Sequence, residues 1–197
     1  MRGNQISRNN TLNSEKIIMS KYVGIDTSFT GTGFAVKDDT KPDGQQFEFK
    51  TIKTKPEDFK DDTDRICFIR DEIIKSIPEN APVVIEDVFV GHGPSAGASL
   101  RLALLAGCVR AGLRDKGIKF TIITPTMVKK YITGKGNANK EVIMMTVFKK
   151  FGIETSNNNE SDAISMADYC STGKTPEAPK KKTKKVKGEV EQSLKEI

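Results

Sequence analysis

Three acidic residues stand where their types and surroundings could do chemistry. Asp26 closes an apolar run in YVGIDTSFTGTGFAV (22–36), Glu86 closes another in APVVIEDVFV (81–90), and Asp162 lies in NNNESDAISMADYC (157–170). A carboxylate in such a place either caps a turn or helix, or is aimed at a cation or a phosphate. Three carboxylates converging from separate elements repel one another unless a cation sits between them. Oxygen donors with room for water suit Mg²⁺ or Mn²⁺. Two such ions ~3.5–4 Å apart can clamp the attacking and leaving oxygens of a phosphodiester. Side chains alternate along a strand, so only one of Glu86 and Asp87 can face such a site. Glu86 directly follows the buried-looking VVI and is the choice.

The elements that must position these acids are legible from periodicity. KYVGIDTS, GTGFAVKD and the alternating QQFEFKTIK read as three strands, and DDTKPDG is a turn cluster. Ile66, Ile69, Ile73 and Ile77 fall at helical spacing, with Asp62 or Thr63 as the expected N-cap and Pro78 beyond the end. APVVIEDVFV has the continuous apolar character of a central parallel strand. A long Ala-, Leu- and Gly-rich helix follows, ending at Gly117, and then a fifth strand, IKFTIIT. A short helix from Pro125 to about Tyr131, the loop GKGNAN, a helix stopped by Gly152 and a last helix opened by NNN complete the order. This predicts an α/β domain with a mixed five-stranded sheet and helices on both faces. If strands one and four are parallel neighbours, Asp26 and Glu86 share the sheet edge where open α/β folds place their sites.

Residues 1–20 are polar and aperiodic and are expected to be a disordered extension, with Met19 an alternative start. Residues 21–172 form the folded unit, and 173–197 a basic, low-complexity tail. The start lacks the apolar core and cleavage site of a secretory signal. No apolar run is expected to approach the ~20 residues that span a bilayer. A cytoplasmic protein with no membrane partner is expected. Cys67, Cys108 and Cys170 show no metal spacing and read as buried free thiols. His92 is the only histidine, which excludes a histidine-rich metal centre, and it reads as an exposed loop residue.

The net charge of +6 is unevenly placed. Residues 119–150 carry seven lysines against the single acid Glu141, and the tail carries eight lysines against four glutamates. A basic tail alone is usually a solvated arm, but a second basic block inside the fold points to a polyanion.

VGIDTSFTGTGFAV, VVIEDVFV, GKGNANKEVIMMTV and SDAISMA together resemble, in order and spacing, the RuvC-type Holliday junction resolvases of the ribonuclease H superfamily. The resemblance covers about residues 21–172. It implies a ribonuclease H-like fold, cleavage dependent on two Mg²⁺ ions for which Mn²⁺ would substitute, and a homodimer that nicks two opposing strands of a four-way DNA junction. Carried over by position, Asp26 and Asp162 would be metal ligands and Glu86 would bridge between them. Phe89 would be an aromatic near the branch point, able to stack on an unpaired base. Lys129 and Lys140 would contact phosphates on either side of the glycine-bearing loop, which also carries Lys135. One position departs from the pattern. Where the family carries an acid or histidine one turn before the last aspartate, this chain has Asn159, with Glu160 beside it. Asn159 would coordinate through its amide oxygen, or Glu160 would serve if the helix began later.

GPSAGAS (93–99) lacks the lysine and spacing of a Walker loop, and no nucleotide cofactor is expected. The small face of the long helix (Ala103, Ala106, Gly107, Ala111) suits a core or subunit interface. Competing readings are nucleases of flaps or forks, a non-catalytic DNA-binding relative, and an actin-like ATPase. The last would need a second lobe.

Overall fold

The computed structural model describes residues 20–88 and 96–174. The expectations for both chain ends, Phe89, His92 and the start of GPSAGAS lie outside the described residues. Strands β1 (Lys21–Asp26), β2 (Gly31–Asp38) and β3 (Phe47–Lys53) form an antiparallel meander. Helix α1 (Asp62–Ser76), β4 (Val83–Glu86), α2 (Ala96–Asp115) and β5 (Phe120–Ile123) follow. Helices α3 (Pro125–Thr133), α4 (Lys140–Phe151) and α5 (Asn158–Ser171) close the fold. The sheet order is β3-β2-β1-β4-β5, with β4 parallel to both β1 and β5. The mixed five-stranded sheet expected from the sequence is therefore present.

Strand alternation sorts the two faces. Val23, Ile25, Val83 and Ile85 point to one side and pack with Ile69 and Ile73 of α1 and Leu105, Val109 and Leu113 of α2. Each such side chain, fully buried, contributes about 1.5–3 kcal/mol. Gly24, Val84 and Asp26 belong to the opposite side, which α3, α4 and α5 cover. Helix α2 is long and apolar enough to cross a membrane by length and composition, which corrects the expectation that no such run exists. Its Leu105, Val109 and Leu113 are nonetheless fully buried in the core. The cap of α1 is also corrected: Asp61, in extended conformation, accepts from the Asp64 N–H at 2.8 Å. The three cysteines are free and half-buried rather than buried.

Helix α5 lies directly on the sheet because two strand residues have no side chain. A Cβ on Gly24 would stand 2.1 Å from the Ala163 carbonyl oxygen, and one on Gly33 would stand 2.0 Å from that of Asn159. Both ends of α5 are tied down. At its start, Asn157 caps the Glu160 N–H, and the Glu160 carboxylate accepts from Thr51 Oγ1 and the Ser156 N–H. At its end, the buried Asp168 meets Lys37 Nζ at 3.1 Å, Lys150 Nζ at 2.5 Å and Tyr131 Oη at 2.7 Å.

Candidate active site

Ile25 pairs with Ile85 in the parallel β1–β4 ladder, so the next residues, Asp26 and Glu86, sit side by side at the strand ends. Neighbouring strands are ~4.8 Å apart, so adjacent carboxylates interact strongly. Both acids share parity with Gly24 and Val84, the positions that face α5. Asp162 lies one helical turn beyond Asn159, whose carbonyl rests on Gly33, and Gly33 is the β2 partner of Asp26. The three sequence-predicted acids are thus brought to one edge of one face.

Their protonation records this proximity. Burial, then the Glu86 and Asp162 charges, push the Asp26 carboxyl well above its ordinary range, and its hydrogen bond with Glu86 acts in the same direction. Burial and the Asp162 charge raise Glu86 to about 7, although the hydrogen bond from Asp26 and the Lys129 charge oppose the rise. Burial raises Asp162 to about 6 against the opposing pull of Lys129 and Lys140. Among the described residues, no three His, Cys, Asp or Glu side chains already close around a point where an ion would sit. The acids are electrostatic neighbours whose repulsion is relieved by protons. A divalent cation would relieve it better, and the donor set is all oxygen, so the residues fit Mg²⁺ or Mn²⁺.

The basic positions divide. Lys129 on α3 acts on Glu86 and Asp162, and Lys140 acts on Asp26 and Asp162. Lys140 is the first residue of α4, capped by Asn139, where a positive charge opposes the helix dipole. Lys135 stands exposed on the loop between these helices, its backbone N–H held by Thr133 Oγ1.

Asn159 and Glu160 do different work. The Asn159 amide nitrogen donates to the Gly31 carbonyl, and its amide oxygen accepts from Asn158 Nδ2 at 2.7 Å. Glu160 is buried, and its hydrogen bonds to Ser156 and Thr51 hold its carboxyl below the usual range despite burial. That carboxylate is committed to the start of α5.

Sequence reasoning missed two arginines behind the site. Arg110 on α2 donates to the Glu86 carbonyl and to Asp87 Oδ1 at 3.0 Å, which accounts for Asp87 on the side away from α5. Arg65 on α1 is 2% exposed and holds the turn that follows Asp26. Neither residue falls in a motif, and an arginine in a core-facing position has no spacing signal that would find it.

The strand order, with acids at the ends of β1 and β4 and on the helix laid across them, defines a nuclease-type ribonuclease H-like domain. It is similar to the solved Thermus thermophilus RuvC structure, with TM-score 0.60 and 21% identity over 78% of this chain and 96% of that one. It is also similar to T. thermophilus RuvC in complex with Holliday junction substrate, with TM-score 0.58 and 22% identity over 76% and 91%. The family model for crossover junction endodeoxyribonuclease RuvC matches residues 22–169. RuvC of Campylobacter lari is 31% identical over 149 residues, covering 75% of this chain and 92% of the relative. That of Campylobacter concisus is 32% identical, covering 75% and 93%. The chain belongs to the RuvC family of crossover junction endodeoxyribonucleases.

Proposed function

We propose that this chain is a structure-selective endodeoxyribonuclease that resolves four-way DNA junctions, acting in the cytoplasm. The observation that carries the reading is the convergence of Asp26, Glu86 and Asp162 at one sheet edge beneath Lys129 and Lys140. When bound, two Mg²⁺ ions, or Mn²⁺ in their place, would activate water and neutralise the leaving oxygen. Asp26 and Asp162 would hold them from the strand and helix sides, with Glu86 between. Asn159 is the candidate for a further neutral donor, since its amide oxygen keeps a second lone pair beside the bond from Asn158. Lys129, Lys135 and Lys140 would hold backbone phosphates so that the scissile bond lies over the acids. Phe89, three residues past Glu86, would stack on a base at the branch point.

Resolving a junction takes two opposed nicks and therefore two sites. The open face of α2 supports a homodimer. Gly97, Leu100, Leu104, Gly107 and Ala111 are all exposed and recur at alternating three- and four-residue steps, the spacing of a helix–helix seam. Leu100 and Leu104 are 57% and 58% exposed, a cost that a second helix would offset. Of the small residues expected in core or interface, Ala106 is in the core while Gly107 and Ala111 are on the seam.

The deciding experiment incubates purified protein and Mg²⁺ with a synthetic four-way junction and with linear duplex. Paired symmetric nicks in the junction and an intact duplex are expected. Faster cutting of flaps or forks would reassign the substrate, and equal cutting of duplex would remove branch selectivity.

A further inference from the structure

We propose that Arg65 is a positioning residue for the catalytic turn: its buried guanidinium sets the backbone that presents Asp26. The inference rests on the nuclease reading above and extends it to a residue on the far face of the sheet. Arg65 projects from α1 and is 2% exposed. Its Nε donates to Thr54 Oγ1 at 2.8 Å, and its Nη2 donates to the Thr54 carbonyl at 3.0 Å and to the Phe29 carbonyl at 2.9 Å. Thr54 Oγ1 in turn donates to the same Phe29 carbonyl. The Phe29 ring lies under the guanidinium, 5.2 Å from centroid to Cζ.

None of these partners is charged. Burying a cation on neutral partners alone costs several kcal/mol, and a well-packed apolar side chain would serve a core position better. The arginine is therefore explained by what its fork reaches. Thr54 follows β3, and Phe29 lies in the turn between β1 and β2, three residues beyond Asp26. The fork clamps these two backbone segments to α1 at one point, a geometry that a lysine's single nitrogen cannot reproduce.

Across the turn, Oγ1 of Thr32 in β2 donates to the Ser28 carbonyl at 2.7 Å and accepts from the Ser28 N–H at 3.1 Å. The loop is thus closed on itself and anchored from outside by Arg65. Arg101 of α2 covers the Phe29 ring at 5.1 Å and is itself held by Asp62 of α1. These bonds tie the turn's backbone at Ser28 and at Phe29, and a site acid must hold its place to within about 0.5 Å to work at full rate.

The test compares full-length Arg65→Gln and Arg65→Lys with Ile69→Val, which loosens the packing of the same helix but leaves every hydrogen bond to the turn in place. In junction cleavage, Arg65→Gln should lower kcat by roughly tenfold or more while KM and junction affinity stay within about twofold. Arg65→Lys should fall between, and Ile69→Val should leave kcat unchanged. The inference is overturned if Arg65→Gln loses no more kcat than Ile69→Val, or if its loss lies in KM or affinity. Should Arg65→Gln fail to fold, Thr54→Val decides: a several-fold loss confined to kcat supports the brace, and an unchanged kcat overturns it. If the unaltered chain cuts no junction, the nuclease reading falls separately. The brace is then judged by the rise in Tm on adding Mn²⁺ without DNA, which should shrink in Arg65→Gln and persist in Ile69→Val. Equal rises would overturn it.

Discussion

Asp26 and Gly33 are partners across the β1–β2 ladder, and the Asn159 carbonyl oxygen fills the space beside Gly33 that a side chain would need. One missing methyl group therefore lets α5 descend next to the first acid and deliver Asp162 to it. Gly33→Ala should push the helix off the sheet. The expected outcome is a stability loss of about 1–3 kcal/mol by overpacking, with junction cleavage reduced even in the fraction that stays folded. Chemical denaturation and cleavage on the same sample check it.

Removing an acid should separate stability from activity. Asp26→Asn deletes a charge that burial and two neighbours oppose. It should bind junctions, cut them at least ~10³-fold more slowly, and be more stable than the parent at pH 8 without metal, on the order of 1–2 kcal/mol. Normal cutting would show that the site is elsewhere.

The pH dependence has a definite sign. Asp26, Glu86 and Asp162 titrate higher folded than unfolded, where carboxyls ionise near 4. Their contribution to metal-free stability is full below about pH 4, and that of Asp162 and Glu86 is lost as pH rises through about 6 and about 7. Asp168, held low chiefly by its bonds to Lys150 and Tyr131 against its burial, works the other way, and its contribution fades as pH falls below about 4. Metal-free Tm should therefore decline from pH 5 to pH 8, and Mg²⁺ should restore it most at the alkaline end. A Tm that rises over that interval without metal would contradict the crowding of the acids.

Lys129 and Lys140 should be separable from Lys135 by what they touch. All three replaced singly by Ala should weaken junction binding and lower the slope of log K against log salt, each by roughly one unit or less. Only Lys129→Ala and Lys140→Ala should also move the pH at which cutting sets in, upward, because only they offset the acids' charges. Titrations of binding against salt and of rate against pH distinguish the two effects.

Leu104→Glu places a charge in the middle of the open α2 seam. If the proposed homodimer forms through this seam, sedimentation should find the parent as dimer and the variant as monomer, and junctions should receive single, unpaired nicks from the variant. A variant that remains dimeric would move the interface to another face.

Much of this was legible in the chain before any coordinates. The run VVIE announces a strand whose exit is chemical, and Asp26 announces its partner by the same token. The parallel pairing of β1 with β4 entered the sequence reading only as a condition, and the sheet order β3-β2-β1-β4-β5 meets it. The less legible parts are those where the cause is a shape rather than a pattern. GTGFAVKD reads as a strand and is one, but no pattern in it says why its second glycine is needed: Gly33 is there for a helix that arrives 126 residues later. Glu160 reads as a spare ligand, yet its carboxylate is used to start α5. Arg65 carries no signal because it reaches backbone carbonyls and a threonine, which leave no charged partner in the sequence, and the acid that Arg110 meets, Asp87, lies 23 residues away from it.

Helix α5 is fastened at its first turn to Thr51 and Gly31 and near its last to Lys37, Lys150 and Tyr131. A rod pinned at both ends can neither slide nor roll, so the place of Asp162 between the pins is inherited from them. Residues 162 and 168 are separated by about 9 Å along the axis. On the proposed reading, in which Asp162 holds metal, a genetic screen for lost resolution would score damage at Asp168 alongside damage at Asp162, and mistake a fastening for a reagent.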